Sequence, residues 1–387
     1  MPTLKHPIYN IRFGSICLSS LFFSSSYNML IPELPAYLSK LGGAEYIGLI
    51  IALFTLTAGL SRPFSGKLTD TIGRKPVIII GVIVCIICGF LYPILSTVSG
   101  FLLLRLFHGF STGFSPTAIS AYVSDIIPSK RWGEALGIQG LFFSTGLALG
   151  PAIGSFIKLH YTFDVLFYSS SFMAFMAVIL VFNIKETLIN KQEFKLSNLK
   201  ISKKDILAKE ALSPALITFL AYSSFGIILT LIPDWSEHLG MGNKGLFFIV
   251  FTIASLCIRF LAGKFSDRYS RIPILILGLT LLFISLIVMG YFKTISGLLI
   301  GSIIYGLAIG VLSPTLNAWT VDLSFPEYRG RAIATMYIAL EAGIGLGALF
   351  SGLFYQGNVI RVPIILYACS IAVLIAITYL LFKLKTK

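Results

Sequence analysis

Gly66-Lys67-Leu68-Thr69-Asp70-Thr71-Ile72-Gly73-Arg74-Lys75-Pro76 is a short charged island between two long apolar runs. Its Gly and Pro residues interrupt helices, and it is too short to be a domain. The same island returns as Gly263-Lys264-Phe265-Ser266-Asp267-Arg268-Tyr269-Ser270-Arg271-Ile272-Pro273. Gly, Lys, Asp, Arg and Pro recur at an offset of 197, and Arg62 recurs as Arg259. A basic turn on the cytoplasmic face of a membrane accounts for the charge but not for the spacing. The spacing marks an internal duplication.

Other pairs carry the same repeat. Gly109, Gly113 and Asp125 map onto Gly306, Gly310 and Asp322 at offset 197. Leu34-Pro35 and Leu41-Gly42 map onto Ile232-Pro233 and Leu239-Gly240 at offset 198. Of the 387 residues, 56% are hydrophobic and only 12% charged, about half the charged share of a soluble protein. A bilayer core takes roughly 20 apolar residues per helix. The apolar runs suffice for twelve spans, so the chain reads as an all-α polytopic membrane protein built as two pseudo-symmetric six-helix bundles. The expected division is residues 1–184, a basic cytoplasmic linker 185–213, and residues 214–387.

A net charge of +14 raises the question of nucleic acid. Sorting Lys and Arg by side answers it. The termini, the two islands with Arg62 and Arg259, the stretches 125–134 and 322–331, and the linker together hold 24. The other side holds Lys40, Lys158, Lys244, Lys293 and Arg361. That bias orients the chain with both termini in the cytoplasm, and no nucleic-acid partner is expected. Cys17, Cys85, Cys88, Cys257 and Cys369 all fall in apolar runs, where packing is the expected role. No metal or cofactor motif is present, and no nucleophile–base constellation suggests an enzyme. The absence of any Asn-x-Ser/Thr sequon fits a bacterial cytoplasmic membrane.

The first island resembles the loop between helices two and three of the major facilitator superfamily of transporters, whose signature reads Gly-x-Leu-Ala-Asp-Arg-x-Gly-Arg-Lys. Thr69 stands for the Ala and Thr71 for the Arg, while the second copy has Phe265 for Leu and Ser270 for Gly. The resemblance implies the major facilitator fold and a conformational latch made by Gly66, Asp70, Gly73, Arg74, Asp267 and Arg271. From the residues alone, Asp70 can pair with Arg74 or approach the positive end of another helix. The alternative is a static solvated pair, worth only about 0–1 kcal/mol.

Two further motifs extend the resemblance. Arg105-Leu106-Phe107-His108-Gly109 is similar to the span-four motif Arg-x-x-Gln-Gly, with His108 in place of Gln. An arginine within a span costs about 2.5–3.5 kcal/mol, so Arg105 is expected to face water or a carboxylate. Snorkelling to the interface is the alternative. In proton-coupled members this arginine supports the coupling carboxylate, and His108 itself could titrate near neutrality or simply make a helix contact. In span five, Gly137, Gly146, Gly150-Pro151 and Gly154-Ser155 resemble the antiporter signature Gly-x8-Gly-x3-Gly-Pro-x2-Gly-Gly, with Ser155 as the one change. Small residues in this rhythm allow close helix approach, and the family associates the motif with export, particularly drug/proton antiport.

Two carboxylates complete the set. Glu33 lies between Pro32 and Pro35 at the outer end of span one, and Glu341 lies about mid-membrane in span eleven. Each is a candidate proton carrier, with Arg105 a possible partner for either. Glu341 could equally make a structural hydrogen bond or hold a cationic substrate. The leading expectation is proton-coupled efflux of a small organic molecule by alternating access. An importer or sugar/nucleoside transporter on the same scaffold is the alternative, followed by a non-transporting receptor. The expected partners are a small-molecule substrate, protons and the lipid bilayer, with a monomer as the default state.

Overall fold

The computed structural model describes residues 10–128, 132–188, 191–195, 208–268, 270–324 and 329–385. The described residues are helical almost throughout: α1 (Ile11–Asn28), α2 (Leu34–Lys40), α3 (Ile47–Thr71), α4 (Arg74–Leu91), α5 (Val98–Ile126), α6 (Trp132–His160) and α7 (Phe163–Phe182). Then follow α8 (Leu212–His238), α9 (Leu246–Arg268), α10 (Arg271–Tyr291), α11 (Ile295–Leu323), α12 (Arg329–Tyr355) and α13 (Val362–Lys385). Among the described residues, nine helices are long and apolar enough to cross a membrane: α3, α4, α6, α7, α8, α10, α11, α12 and α13. With α1, α5 and α9 they make the twelve expected spans. α1 is diluted by serines and α5 carries Arg105 and His108. The described apolar part of α9 reaches only Ile258.

The polar residues of α1 are reconciled with the bilayer by turning inward. Ser20 and Ser26 donate to the carbonyls of Ile16 and Phe23 in their own helix. Ser19 donates to the Ala177 carbonyl of α7, and Ser170 of α7 donates to the Ser26 carbonyl. A polar hydroxyl in an apolar medium costs little once it has an acceptor. The first span, which the apolar run predicts over about residues 11–31, is shorter as a helix. Backbone helix stops at Asn28, turns through residues 29–33, and resumes at Leu34 with Pro35 in its first turn. Pro32 and Pro35 have no N–H to donate, which sets that break.

The signature island differs from expectation in the opposite sense. Gly66 does not end the helix: α3 runs on through Asp70 to Thr71, and α4 begins at Arg74. The turn rests on Gly73 alone, whose φ of +122° favours a residue without a Cβ. Glu186, in the irregular stretch four residues beyond α7, accepts hydrogen bonds from the backbone N–H groups of Arg74 (3.1 Å) and Lys75 (2.9 Å). It thereby satisfies donors that the start of α4 would leave orphaned.

Helix adjacency repeats between the halves. α1 packs on α6 and α7, α3 on α5, α4 on α5 and α7; correspondingly α8 packs on α12 and α13, α9 on α11, α10 on α11 and α13. The cross-contacts are exchanged by the same operation, α3 with α12 and α6 with α9. Individual residues obey it too. A Cβ at Gly109 would overlap the Phe54 carbonyl, and one at Gly306 would overlap the Phe251 carbonyl, each pair separated by 197 positions. Large apolar side chains such as Leu60, Ile94, Phe172, Phe182 and Phe382 cover the outside, as a lipid-facing surface requires.

Candidate transport cavity

Between the halves lies a cavity of about 1310 Å³. Its lining runs from Ile51 and Ile344 out to Lys67, Asp70 and Thr71, so it opens toward the signature-island side. The opposite, far side is closed by backbone contact. Gly48 of α3 fits so tightly against Ala348 and Gly352 of α12 that a Cβ there would have no room. Gly245, at the start of α9, meets Pro151 and Ala152 of α6 in the same way, and Asn243 Nδ2 donates to the Ala152 carbonyl at 3.4 Å.

Glu341 lines the cavity as expected, but its partner is not Arg105. Arg62 Nη2 and Nε both donate to Glu341 Oε1, at 2.6 and 3.2 Å. This ion pair crosses from α3 to α12, hence from one half to the other. Arg62 also lies over the Tyr337 ring, 5.3 Å from its centroid. Both partners are largely withdrawn from solvent, with side-chain exposures of 22% and 10%. In the sequence, Arg62 stands out only through the repeat and the charge bias. The available signal was its position, a full arginine just before the end of an apolar run and one turn ahead of the island.

Arg105 lines the same cavity, 1% exposed. Nε donates to the Ile50 carbonyl at 3.0 Å, Nη1 donates to the Tyr92 hydroxyl at 3.4 Å, and the guanidinium sits 4.5 Å from the centre of the Phe54 ring. Here an aromatic face and a backbone carbonyl hold the cation where a carboxylate was expected. Thr112 shares the cavity wall with it. His108 does not reach the cavity: it is fully buried behind Arg105, between Tyr92 and Cys85 of the α4 segment.

At the signature island, Arg74 pairs with Asp70 (Nη1 to Oδ1, 3.1 Å) and Asp125 (Nε to Oδ2, 3.0 Å), and Nη1 donates to the Thr69 carbonyl. Thr187 also donates to Asp125, at 2.6 Å. Asp70 is 72% exposed, so its pairing with Arg74 is weak by itself. The second half repeats the stronger contact: Arg271 Nε to Asp322 Oδ2, 2.7 Å. The side chain of Asp267 lies outside the described residues, as do residues 189–190 and 196–207 of the linker.

The glycine rhythm of α6 is a packing face against α1. Gly146 abuts Leu21 and Ser24, Gly150 abuts Ser25, and Gly154 abuts the Met29 backbone. Gly137 takes no part, since a Cβ there would meet open space. Gly343 and Gly347 of α12 meet the Phe219 and Ser223 carbonyls of α8 in the equivalent manner.

Glu33 stands apart from the cavity, in the turn beyond α1, where it lines a second pocket of about 530 Å³ on the far side. Ser155 donates to Glu33 Oε1 at 2.7 Å, and Lys244 Nζ lies 3.9 Å from Oε2. Lys244 makes its closer contact with Glu237, at 2.7 Å. Burial pushes the Glu33 carboxyl above the usual carboxylate range, opposed by Lys244, the Ser155 hydroxyl and Lys158. Ser155 is the residue that departs from the antiporter pattern, and Glu33 gives that departure a partner.

Comparison with known proteins agrees with this architecture. Multidrug resistance protein 2 of Bacillus subtilis is 29% identical over 323 residues, covering 78% of this chain and 79% of that protein. The quinolone resistance protein NorA of Staphylococcus aureus is 34% identical over 131 residues, covering 33% and 34%. Among solved structures, a peptide transporter POT in complex with sulfate superposes with a TM-score of 0.81 at 14% identity, covering 98% of this chain and 95% of that one. The nucleoside transporter NupG gives 0.75 at 14% identity, covering 98% and 100%. At such identities the structures speak for the fold alone. A sequence profile described as Major Facilitator Superfamily matches residues 16–247 and 214–387. With its duplicated helices, signature islands and central cavity, the chain belongs to the Major Facilitator Superfamily.

Proposed function

We propose that this protein is a proton-coupled exporter of small organic molecules, loaded from the cytoplasm. The observation that carries the reading is the central cavity: it is open on the basic, signature-island side, sealed on the far side, and crossed by the Arg62–Glu341 pair. The positive-inside bias supports a cytoplasmic open side with both termini there, and the bacterial relatives support an inner membrane. The names of the relatives, multidrug resistance and quinolone resistance, support drug-like cargo. The working units are residues 1–184 and 214–387, joined by the linker 185–213, in a monomer.

Glu341 is the proton carrier in this reading. As a carboxylate it holds Arg62 and ties α3 to α12. Once protonated it can no longer form an ion pair, and the tie between the halves loosens. Protonation thus changes the balance between arrangements because it acts differently on the two. Tyr27, Phe54, Phe143, Phe225 and Tyr337 line the rest of the cavity and offer ring faces to a flat or amphipathic cargo. Asp70, Gly73 and Arg74, with Arg271 and Asp267 in the second half, form the cytoplasmic latch. Glu33 acts at the far-side closure.

The test is a compound panel including a quinolone, applied to proteoliposomes with an imposed pH gradient. Compound-dependent dissipation of the gradient, absent in Glu341→Gln, is the expected result. Equal dissipation by parent and variant would remove Glu341 from the proton path.

A further inference from the structure

We propose that His108 is a neutral positioning residue, held as the tautomer with its proton on Nε2, and that it fixes Arg105 in the cavity wall through Tyr92. The order of donors and acceptors carries this. Arg105 can only donate, so Tyr92 receives Nη1–H on its hydroxyl oxygen at 3.4 Å. The hydroxyl proton then needs an acceptor. Among the described residues the one in reach is His108 Nδ1, at 3.1 Å. Nδ1 is therefore bare, and Nε2 carries the hydrogen.

The other end of the chain agrees. His108 Nε2 lies 3.1 Å from Cys85 Sγ, Cys85 Sγ lies 3.1 Å from Ser26 Oγ, and Ser26 donates to the Phe23 carbonyl at 2.7 Å. Each hydrogen is used once, in one direction, from a fixed cation to a backbone carbonyl. The chain joins α5, α4 and α1, and all five side chains are buried. A second proton on His108 would leave the Tyr92 hydroxyl without an acceptor. It would also place a second positive charge beside Arg105, on the same helix. Among the described residues, the groups facing the ring from other helices are Tyr92 and Cys85 from the α4 segment and the Phe54 ring edge from α3. None supplies a compensating negative charge. The sequence departs from the span-four pattern at this position, with His108 where Gln is expected. A glutamine could fill the same role, since its amide oxygen accepts and its amide nitrogen donates.

The first test does not depend on the transport reading. The full chain, labelled with 15N in its four histidines and held in lipid bilayers, is read by imidazole nitrogen NMR between about pH 5 and 8. His108 is assigned by its loss in His108→Gln. The expected signature is one bare and one protonated nitrogen, unchanged across the range, with the bare one assigned to Nδ1. Tyr92→Phe should replace it with a mixture of tautomers. An imidazolium pattern at the acid end, or a proton on Nδ1, overturns the proposal. The functional arm is pH-driven transport in the same membranes. His108→Gln should retain the parent's rate and pH profile. Tyr92→Phe and His108→Leu should each lose roughly tenfold in turnover at little change in KM, and the double variant should lose no more than either alone. A folded His108→Gln protein that fails to transport, or additive losses, would also overturn it. If the parent moves no compound at all, the efflux reading fails while the NMR result still decides this one.

Discussion

A single carboxylate, Glu341, carries the coupling account, and its partner shows what a helical pattern leaves out. Periodicity placed both Glu341 and Arg105 inside spans but could not show which helices meet. Arg62 reaches Glu341 because α3 and α12 cross with glycines in contact at Gly48 and Gly352. That is a three-dimensional fact with no local signature. Removing one member of a buried ion pair leaves an uncompensated charge, whereas removing both does not. Arg62→Gln and Glu341→Gln should therefore each lower the thermal midpoint in detergent. The double variant should fall by less than the sum, with a coupling of about 0.5–3 kcal/mol. Strict additivity would show that the pair contributes nothing.

Among the elements, α6 and the α3–α4 turn repay separate tests. The α6 glycines were legible because close helix approach demands small residues at fixed spacing. Their inequality was not legible, since the motif gives no sign that Gly137 faces open space. Gly137→Ala should leave stability unchanged or raise it by up to about 1 kcal/mol, whereas Gly154→Leu would drive a side chain into the Met29 backbone. Such overpacking costs about 1–3 kcal/mol or more, and unfolding of the two variants side by side reads the contrast. Equal behaviour would mean that the α1–α6 contact is not the constraint described. The cap on α4 has no signal in the sequence. Glu186 lies 112 positions from Arg74, in a stretch that reads only as the start of a polar linker. Glu186→Ala should cost about 0.5–2 kcal/mol, as loss of a helix cap does. Hydrogen exchange at Arg74 and Lys75 should rise with it, and unchanged protection there would contradict the assignment.

Over the whole molecule, the duplication was the most legible feature. An offset of 197 relates islands, glycines and acidic residues in the sequence, and the same offset relates Arg74–Asp125 to Arg271–Asp322 in space. Twelve spans followed from apolar length, although α1 and α5 owe their places to buried hydrogen bonds rather than to hydropathy. The direction in which the cavity opens was not legible, because both arrangements share one sequence and differ by small free energies. Asp70→Asn belongs at this scale. It should slow transport at least several-fold while leaving compound affinity within a factor of about two, since Asp70 lies at the mouth and 72% exposed. A loss of affinity at an unchanged rate would place Asp70 in cargo binding instead.

The central claim is that the two halves rock about the cavity, closing one mouth as the other opens. Paired spin labels in lipid bilayers measure this most directly: one pair at Ser120 in α5 and Leu323 in α11, on the signature-island side, and one at Leu159 in α6 and Gly242 before α9, on the far side. Replacing Glu341 by Gln, to mimic its protonated form, should shift the first distance distribution shorter and the second longer. Distributions that stay fixed in both pairs, or that lengthen together, would contradict the account.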